Sequence, residues 1–256
     1  MRAYNEAELS KLEDRITPML PAMGGSFQTR FWSAAISLVR RPDLAECTQE
    51  SLVMSVVNCA RLGLIPDNGL GQVWVLPYRD KGQQVAQVQV GVKGRQTLAR
   101  RSGDVTVIRT QWVYKNDHFD YQDGLEQVCI HRPWQLENKK EPGDLFCTYV
   151  VAHFTGGDRD IKIAWRDDIK RSMDRSKAAK KGFGPWISNH DEMALNVPIR
   201  MAWKNWPQTE EMVHADRLDD AADSEQRQST PMEYAALTGS EAIPEPPAKD
   251  NPDEGQ

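Results

Sequence analysis

The spacing of hydrophobic residues predicts helices at the start of the chain. Residues 5–20 and 26–41 have the apolar period of amphipathic helices. The second segment, with Ser26 as N-cap, carries one apolar stripe made of Phe27, Phe31, Ala34, Ala35 and Leu38. A third helix is predicted over about 48–62, ending at Gly63.

Alternating segments follow and predict strands. Residues 72–78 and 84–90 alternate apolar and polar positions around a polar link, which indicates a hairpin. The second strand is expected to have one apolar face and one amide-rich face, the latter carrying Gln84, Gln87 and Gln89. A helix over about 93–102 precedes further predicted strands at 104–115, 118–121, 125–131, 145–155 and 160–165.

Two more helices are predicted at about 166–176 and 185–206, the second with a kink at Pro198. Helices and strands stand in blocks, a pattern that does not favour a doubly wound nucleotide fold. The predicted class is therefore α+β: an antiparallel sheet, built from a hairpin plus a meander, packed with N-terminal and C-terminal helices.

Charge is divided unevenly along the chain. The whole chain has a net charge of −5, but residues 207–256 hold 13 acidic and three basic side chains. The remaining body therefore has 29 basic and 24 acidic side chains, a balance of +5. Because the acidic segment lacks a sustained apolar period and ends proline-rich, residues 208–256 are predicted to be a mostly disordered tail.

Composition excludes several protein classes. No apolar run approaches the roughly 18 residues of a membrane span, and no leader follows Met1, so a soluble cytoplasmic protein is expected. Cysteines Cys47, Cys59, Cys129 and Cys147 match no metal or redox spacing, which predicts reduced, buried thiols and no metal site. Neither GxGxxG nor GxxxxGK[ST] occurs, so no ATP or other cofactor is expected.

Enzymatic cleavage of DNA is the alternative that the sequence leaves open. Acid-x-Lys triplets, which some metal-dependent nucleases use, begin at Glu137, Asp160 and Asp168. Chance alone gives about two such triplets in a chain of this composition. A nuclease would use Asp160 or Asp168 with Lys162 or Lys170.

Basic residues are concentrated in two stretches. One holds Lys162, Arg166, Lys170, Arg171, Arg175, Lys177, Lys180 and Lys181, and the other Lys93, Arg95, Arg100 and Arg101. The ordinary explanation of each is a solvated helix face with its own acidic partners. In the last helix, Arg200 and Lys204 are spaced to project together from an otherwise docked helix.

A series of short motifs stands in order over residues 45–207, namely Leu62–Pro66, Gly69–Gly71, Leu76–Tyr78, Gln89–Gly94, Leu98–Gly103, Phe119, Gly124, His131–Pro133, Gly184–Trp186 and Glu192–Ala194. In their order and spacing these motifs resemble the RecT family of phage single-strand annealing proteins. The resemblance implies a phage-encoded or prophage-encoded protein without a catalytic site. Such a protein binds single-stranded DNA and anneals complementary strands without ATP. It also forms rings or filaments, and works beside a 5′→3′ exonuclease and a host single-strand-binding protein.

The resemblance turns the basic residues into candidate phosphate contacts. The main candidates are Lys93, Arg95, Arg100, Arg101, Arg175, Lys177, Arg200 and Lys204, with Arg109 and Lys115 as weaker ones. The amide-rich strand face is expected to add polar contacts. The final helix departs from the family: after Met-Ala, where a lysine and threonine are usual, this chain has Asn196-Val197-Pro198 before Arg200 and Lys204, so one expected cation is missing.

The resemblance also gives the predicted domains their roles. Residues 1–207 form the DNA-binding, annealing and oligomerisation core, and the acidic tail 208–256 competes with DNA or docks a partner protein. A protein that assembles without DNA is the third hypothesis, next to annealing and nuclease activity.

Overall fold

The computed structural model describes residue 7 and residues 9–80, 82–224 and 226–239. Its helices are α1 (Glu13–Ile16), α2 (Gly25–Val39), α3 (Gln49–Leu62), α4 (Val92–Arg101), α5 (Arg166–Arg175), α6 (Lys177–Lys180), α7 (Pro185–Ser188), α8 (His190–Ala202), α9 (Glu210–Asp223) and α10 (Pro231–Thr238). Its strands are β1 (Val73–Asp80), β2 (Gln83–Val90), β3 (Val105–Tyr114), β4 (His118–Gln122), β5 (Val128–Arg132), β6 (Leu145–Phe154) and β7 (Arg159–Trp165). Short 3₁₀ turns lie at Thr17–Met19, Pro42–Leu44, Asn68–Leu70 and Trp203–Asn205.

The element pattern confirms the predicted α+β class with antiparallel sheets. The chain forms two compact units, one made of residues 1–89 and 217–256 and the other of residues 90–216. Among the described residues, no helix has the length and apolar character to cross a bilayer.

The first unit is centred on helix α3, which is buried along most of its length. Thr48 caps its start, with its hydroxyl accepting from the Ser51 backbone N–H at 3.3 Å. Gly63 ends it in the left-handed conformation at φ 60°, which a residue with a Cβ adopts only with strain. Helix α2 buries four of the five residues predicted for its stripe, and Ala34 is half-buried.

The predicted hairpin is confirmed, but the prediction of an open amide-rich face was wrong. Gln87 is buried, and its amide nitrogen donates to the Gln226 carbonyl at 2.6 Å. Gln228 accepts from the Val88 N–H and donates to the Val88 carbonyl, both at 2.6 Å. At the start of the same strand, Gln84 donates to a carboxylate oxygen of Glu46 at 2.8 Å.

The contacts to Gln87 and Val88 come from the C-terminal segment, which the sequence predicted to be mostly disordered from residue 208. Its described part contains α9 and α10 instead. Helix α9 forms because buried side chains recur at helical spacing, namely Met212, Ala215, Leu218 and Ala222. The sequence pattern conceals this stripe, because two of its members are weakly hydrophobic alanines and the segment holds many acidic residues. Residues 240–256 of the predicted tail lie outside the described residues.

The second unit contains a three-stranded antiparallel sheet in the order β3, β6, β7. Val113, Cys147, Tyr149 and Ile163 are buried on one face of this sheet, beneath side chains of the β4–β5 hairpin such as Phe119. The other face packs against α8, where the Thr148 hydroxyl donates to the Ala194 carbonyl at 2.9 Å. Of the predicted meander, β3, β6 and β7 share this sheet, whereas β4 and β5 form a separate hairpin that covers part of one face.

The last predicted helix of the core is divided into α7, α8 and a 3₁₀ turn. Helix α8 continues through Pro198. Asn196, on the preceding turn, is buried, and its amide nitrogen donates to the Val90 carbonyl at 3.0 Å. At the position where the resemblance led us to expect a cation, the chain therefore has an internal hydrogen-bond donor.

Candidate nucleic-acid interface

Helix α4 and the edge strand β3 bring two of the predicted cations together. Arg100 is exposed in the last turn of α4, and its guanidinium donates to the Ile108 carbonyl at 3.2 Å. One turn earlier, Gln96 donates to the Thr110 hydroxyl at 3.5 Å, so the helix runs beside the strand. Arg109 follows Ile108 and is exposed. Arg100 and Arg109 therefore lie at the same edge of the sheet.

The strand register adds two basic side chains that the sequence did not single out. Val107 pairs with His153, which pairs with Arg159, and all three are exposed. Arg109 lies in the next row, opposite Val151. Because residues in register in an antiparallel sheet project to the same side, Arg109, His153 and Arg159 form one group, which we name the basic row.

Arg95 is a candidate that the structure places inside the protein. Its side chain has 0% exposure, and its guanidinium donates to Asp216 at 2.9 Å. The same guanidinium lies 4.4 Å from the centre of the Trp203 ring. A charge held this way has no surface to offer a phosphate, so Arg95 is a structural residue of the second unit.

The remaining candidates differ in exposure and position. Those that are exposed, besides Arg100 and Arg109, are Lys93, Lys115, Arg175, Lys177 and Lys204. Lys115 follows the end of β3 and is about 20 Å along the strand from Arg109, given the usual rise per residue. Arg175 ends α5, and Lys177 begins α6. The candidates thus do not form a single cluster.

Two candidates near the helix ends are half-buried, Arg101 and Arg200. Burial lowers the pKa of the Arg101 guanidinium, and the nearby Glu211 carboxylate opposes that shift. Lys204, expected one helical turn beyond Arg200, lies instead in the 3₁₀ turn that follows α8. The predicted common face of Arg200 and Lys204 therefore does not continue as one α-helical stripe.

An aromatic cluster lies on the face of the sheet that carries the basic row. The Phe119 ring is 5.8 Å from the Tyr149 ring and 6.4 Å from the Trp165 ring, measured between centroids. The Phe146 ring lies edge-on to the Trp165 ring, with 5.7 Å between their centroids. Trp165 and Phe146 are both among the exposed large hydrophobic side chains.

His131 connects this cluster to a buried carboxylate. Its ring nitrogens lie 3.1 Å from the Tyr149 hydroxyl and 3.1 Å from a carboxylate oxygen of Asp117. Burial raises the pKa of Tyr149 to about 12, so the phenol stays protonated at neutral pH. A protonated phenol is a poor nucleophile, and this chain of contacts instead anchors the β4–β5 hairpin to the sheet.

The carboxylates of the nuclease alternative have structural partners. Asp160 accepts from the indole N–H of Trp206 at 2.6 Å. Asp168 accepts from the Trp165 backbone N–H at 2.9 Å, which caps the start of α5, and it also pairs with Arg171. Within the described part of the chain, no group of three or more His, Cys, Asp or Glu side chains could hold a metal ion.

The cysteines are free thiols, and three of them, Cys47, Cys59 and Cys147, are buried. Burial raises the pKa of Cys59 and of Cys147 to about 12 and that of Cys47 to about 11. Cys129 is half-buried, and burial raises its pKa as well. All four are thus protonated at neutral pH and serve as packing side chains.

The residues that the sequence missed share one property. His153, Arg159, Trp165 and Phe146 lie on strands or at a strand end, where their placement depends on pairing register. No local motif marks them. A correct strand alignment is the signal that could have placed His153 beside Arg159.

Comparison with known proteins places the chain in a family. The model of the RecT family matches residues 29–231, beyond both ends of the segment in which the sequence motifs lie. Protein RecT of Escherichia coli (strain K12) is 31% identical over 214 residues, which cover 82% of this chain and 76% of that protein. The uncharacterized protein YqaK of Bacillus subtilis (strain 168) is 25% identical over 183 residues, 71% of this chain and 60% of that protein. The chain, with its α+β core, belongs to the RecT family.

Proposed function

We propose that this protein binds single-stranded DNA and anneals complementary strands without ATP, in homologous recombination of the phage type. The observation that carries the proposal is the family match, which covers residues 29–231. Proteins of the RecT family anneal DNA strands and are not enzymes in the usual sense. Annealing needs no hydrolysis, because base pairing and counterion release supply the free energy.

The exposed cations support this proposal physically. Two DNA strands repel each other, so an annealing protein must neutralise phosphates while leaving the base edges free to pair. Arg100 at the edge of β3, and Arg109 and Arg159 of the basic row on one face of the sheet, provide such charges in the second unit. We propose these residues, with Lys93, Arg101, Lys115, Arg175, Lys177, Arg200 and Lys204, as phosphate contacts, and we exclude Arg95 because its side chain is fully buried.

The annealing assay separates this function from the nuclease alternative. Two complementary labelled oligonucleotides are mixed with the protein, without nucleotide, in the presence of Mg²⁺ or Mn²⁺. Faster formation of full-length duplex than in buffer supports annealing. Shortened products would favour the nuclease, and a duplex rate equal to that in buffer would refute the proposal.

We further propose that the protein works as a homo-oligomer in the cytoplasm of a bacterial host, beside an exonuclease or a host single-strand-binding protein. Residues 240–256 hold five acidic side chains and one basic one, which suits docking to a basic partner surface. A truncation after Gly239 tests this role, because it keeps the buried Leu218, Ala222 and Leu237. Tighter DNA binding by the truncated protein would show competition by the tail, whereas unchanged DNA affinity with loss of partner binding would show docking.

A further inference from the structure

Two large aromatic side chains of the second unit are both exposed and in mutual contact. Trp165 is 42% exposed and Phe146 is 47% exposed. Their ring centroids are 5.7 Å apart, and the ring planes are inclined by 78°. A pair of this size left open to solvent is informative, because folded proteins usually cover adjoining aromatic surface unless it binds something.

Neighbouring side chains and a backbone hydrogen bond support Trp165. Phe119 meets the Trp165 ring edge-on at 6.4 Å, and Tyr149 packs against Phe119 at 5.8 Å. The Trp165 backbone N–H donates to Asp168 at 2.9 Å, which fixes the residue where β7 ends and α5 begins. The Trp165 ring therefore holds its orientation before any ligand arrives, which lowers the entropic cost of binding.

The surroundings of the pair favour an anionic ligand. Lys115 is exposed, and its backbone N–H donates to the Asp144 carbonyl at 2.9 Å, so it lies at the strand end next to Phe146. Arg166 follows Trp165 and is exposed, and Lys170 is exposed one helical turn later.

Two carboxylates of the same region are turned inward. The Asp117 side chain is 2% exposed and accepts from the backbone N–H groups of Tyr114 and Trp134, each at 2.7 Å. The Asp168 carboxylate is occupied by the Trp165 N–H and by Arg171. The charges of Asp117 and Asp168 are thereby directed away from the exposed rings, whereas the carboxylates of Asp144 and Asp167 are exposed beside the cations.

We propose that Trp165 and Phe146 form a stacking surface for unpaired bases of single-stranded DNA, with Lys115 and Arg166 at the neighbouring phosphates. This inference rests on the proposed function and adds a contact to the bases. Aromatic stacking accepts any base, because every base has a π-face, and it leaves the Watson–Crick edges free. A surface of this kind would hold one strand open for its complement without reading its sequence.

The test compares two probes on the full chain. One is an oligo-dT strand, and the other is an abasic strand of equal length, which keeps the phosphates and lacks the bases. Trp165→Leu removes the π-surface and keeps an apolar side chain, whereas Trp165→Phe keeps a ring. We expect Trp165→Leu and Phe146→Leu each to weaken oligo-dT binding by about 5- to 30-fold, the effect of losing one stacked base. The same variants should bind the abasic strand within about 2-fold of wild type, because that strand has no bases to stack. Trp165→Phe should keep most of the wild-type affinity for oligo-dT, because it retains an aromatic ring.

Leu136→Ala removes another exposed apolar side chain of the same unit and serves as the control, with unchanged binding to both probes. Equal losses on oligo-dT and on the abasic strand would overturn the inference, because the pair would then act through the fold or the phosphates. A changed oligomer size without DNA, combined with unchanged oligo-dT binding, would overturn it in favour of contact with a second copy. If the wild-type protein binds neither probe, the proposed function itself fails, and this result is distinct from a defect confined to the variants.

A second measurement does not depend on how well the variants fold. An oligonucleotide carrying 2-aminopurine loses fluorescence when that base stacks on an aromatic ring. We expect wild-type protein to quench the probe and Trp165→Leu, at a concentration that saturates the strand, to leave it bright. Equal quenching by both proteins at saturation would contradict the stacking surface.

Discussion

The guanidinium of Arg95 lies over the ring of Trp203, 4.4 Å from its centre, and this contact decides the role of an arginine that the sequence places in a basic cluster. Arg95 also pairs with Asp216 at 2.9 Å, and the Trp203 indole N–H donates to that same carboxylate at 2.7 Å. The three side chains are thus linked inside the protein, so the charge of Arg95 stabilises the second unit and is not available to DNA.

We predict that Arg95→Ala destabilises the protein by about 3 kcal/mol, because it leaves the Asp216 carboxylate without its charge partner and opens a space over the Trp203 ring. Urea unfolding followed by circular dichroism measures the change. Lys93→Ala, two residues earlier on an exposed position of the same helix, is the matched control and should shift stability by less than about 0.5 kcal/mol. A stable Arg95→Ala protein with weakened DNA binding would return Arg95 to the interface.

The contrast between Lys93 and Arg95 shows what the sequence could and could not predict. Periodicity placed α4 correctly, and helix α3 was predicted to within one residue because Thr48 and Gly63 carry local backbone signals. Exposure of a given cation depends on which elements pack beside it, and residues more than 100 positions away, such as Asp216, decide that for Arg95.

The same limit applies to the candidate interface. Arg100 and Arg109 were candidates that the family resemblance drew from the sequence, whereas His153 and Arg159 join them only through the register of three strands. The C-terminal helices were missed because alanine contributes weakly to a hydrophobic pattern and acids dominate the segment. Ala215 and Ala222 are buried by tertiary packing, which the local hydrophobic periodicity of the sequence does not predict.

The side-chain amide of Gln228 makes two hydrogen bonds to the backbone of Val88 in β2, as a neighbouring strand would. Its removal should increase local opening of β2. Gln228→Ala removes both hydrogen bonds to the Val88 backbone, and we expect a cost of about 1–3 kcal/mol from the unpaired buried groups. Hydrogen exchange at the Val88 amide should become faster. Gln122→Ala, at an exposed position of β4, is the control and should leave that amide unchanged. Unaltered protection of Val88 in Gln228→Ala would show that this amide does not hold the strand.

Alkaline pH should destabilise the protein, because buried tyrosine and cysteine side chains stay protonated in the folded state. Burial raises the pKa of Tyr149 from 10.0 to about 12, and that of Cys59 and Cys147 from 9.0 to about 12. Above the ordinary values the unfolded chain loses these protons while the folded protein keeps them, so the unfolded state binds fewer protons and stability falls as pH rises. Each group contributes up to about 1.4 kcal/mol per pH unit in that window.

Urea titrations under reducing conditions at pH 8, 9.5 and 10.5 measure this decline, which should begin near pH 9 and become steeper above pH 10, as the shifted values require. Tyr149→Phe should make the fall shallower only above pH 10, where the tyrosine contributes. A stability that stays constant from pH 8 to 10.5 would contradict the burial of these three groups.

The basic row makes a prediction about salt. For single strands, log K falls with log salt by about 0.7 for each phosphate neutralised, so Arg109→Gln and Arg159→Gln should each flatten the slope by about that amount. Arg30→Gln, an exposed arginine on α2 of the first unit, is the control and should keep the wild-type slope. Fluorescence anisotropy of labelled oligo-dT at several salt concentrations gives the values. If Arg30→Gln flattens the slope as much as Arg109→Gln does, binding follows total charge, and the register of β3, β6 and β7 has no part in it. A reduced slope confined to the row would instead place the phosphate backbone along this face of the sheet.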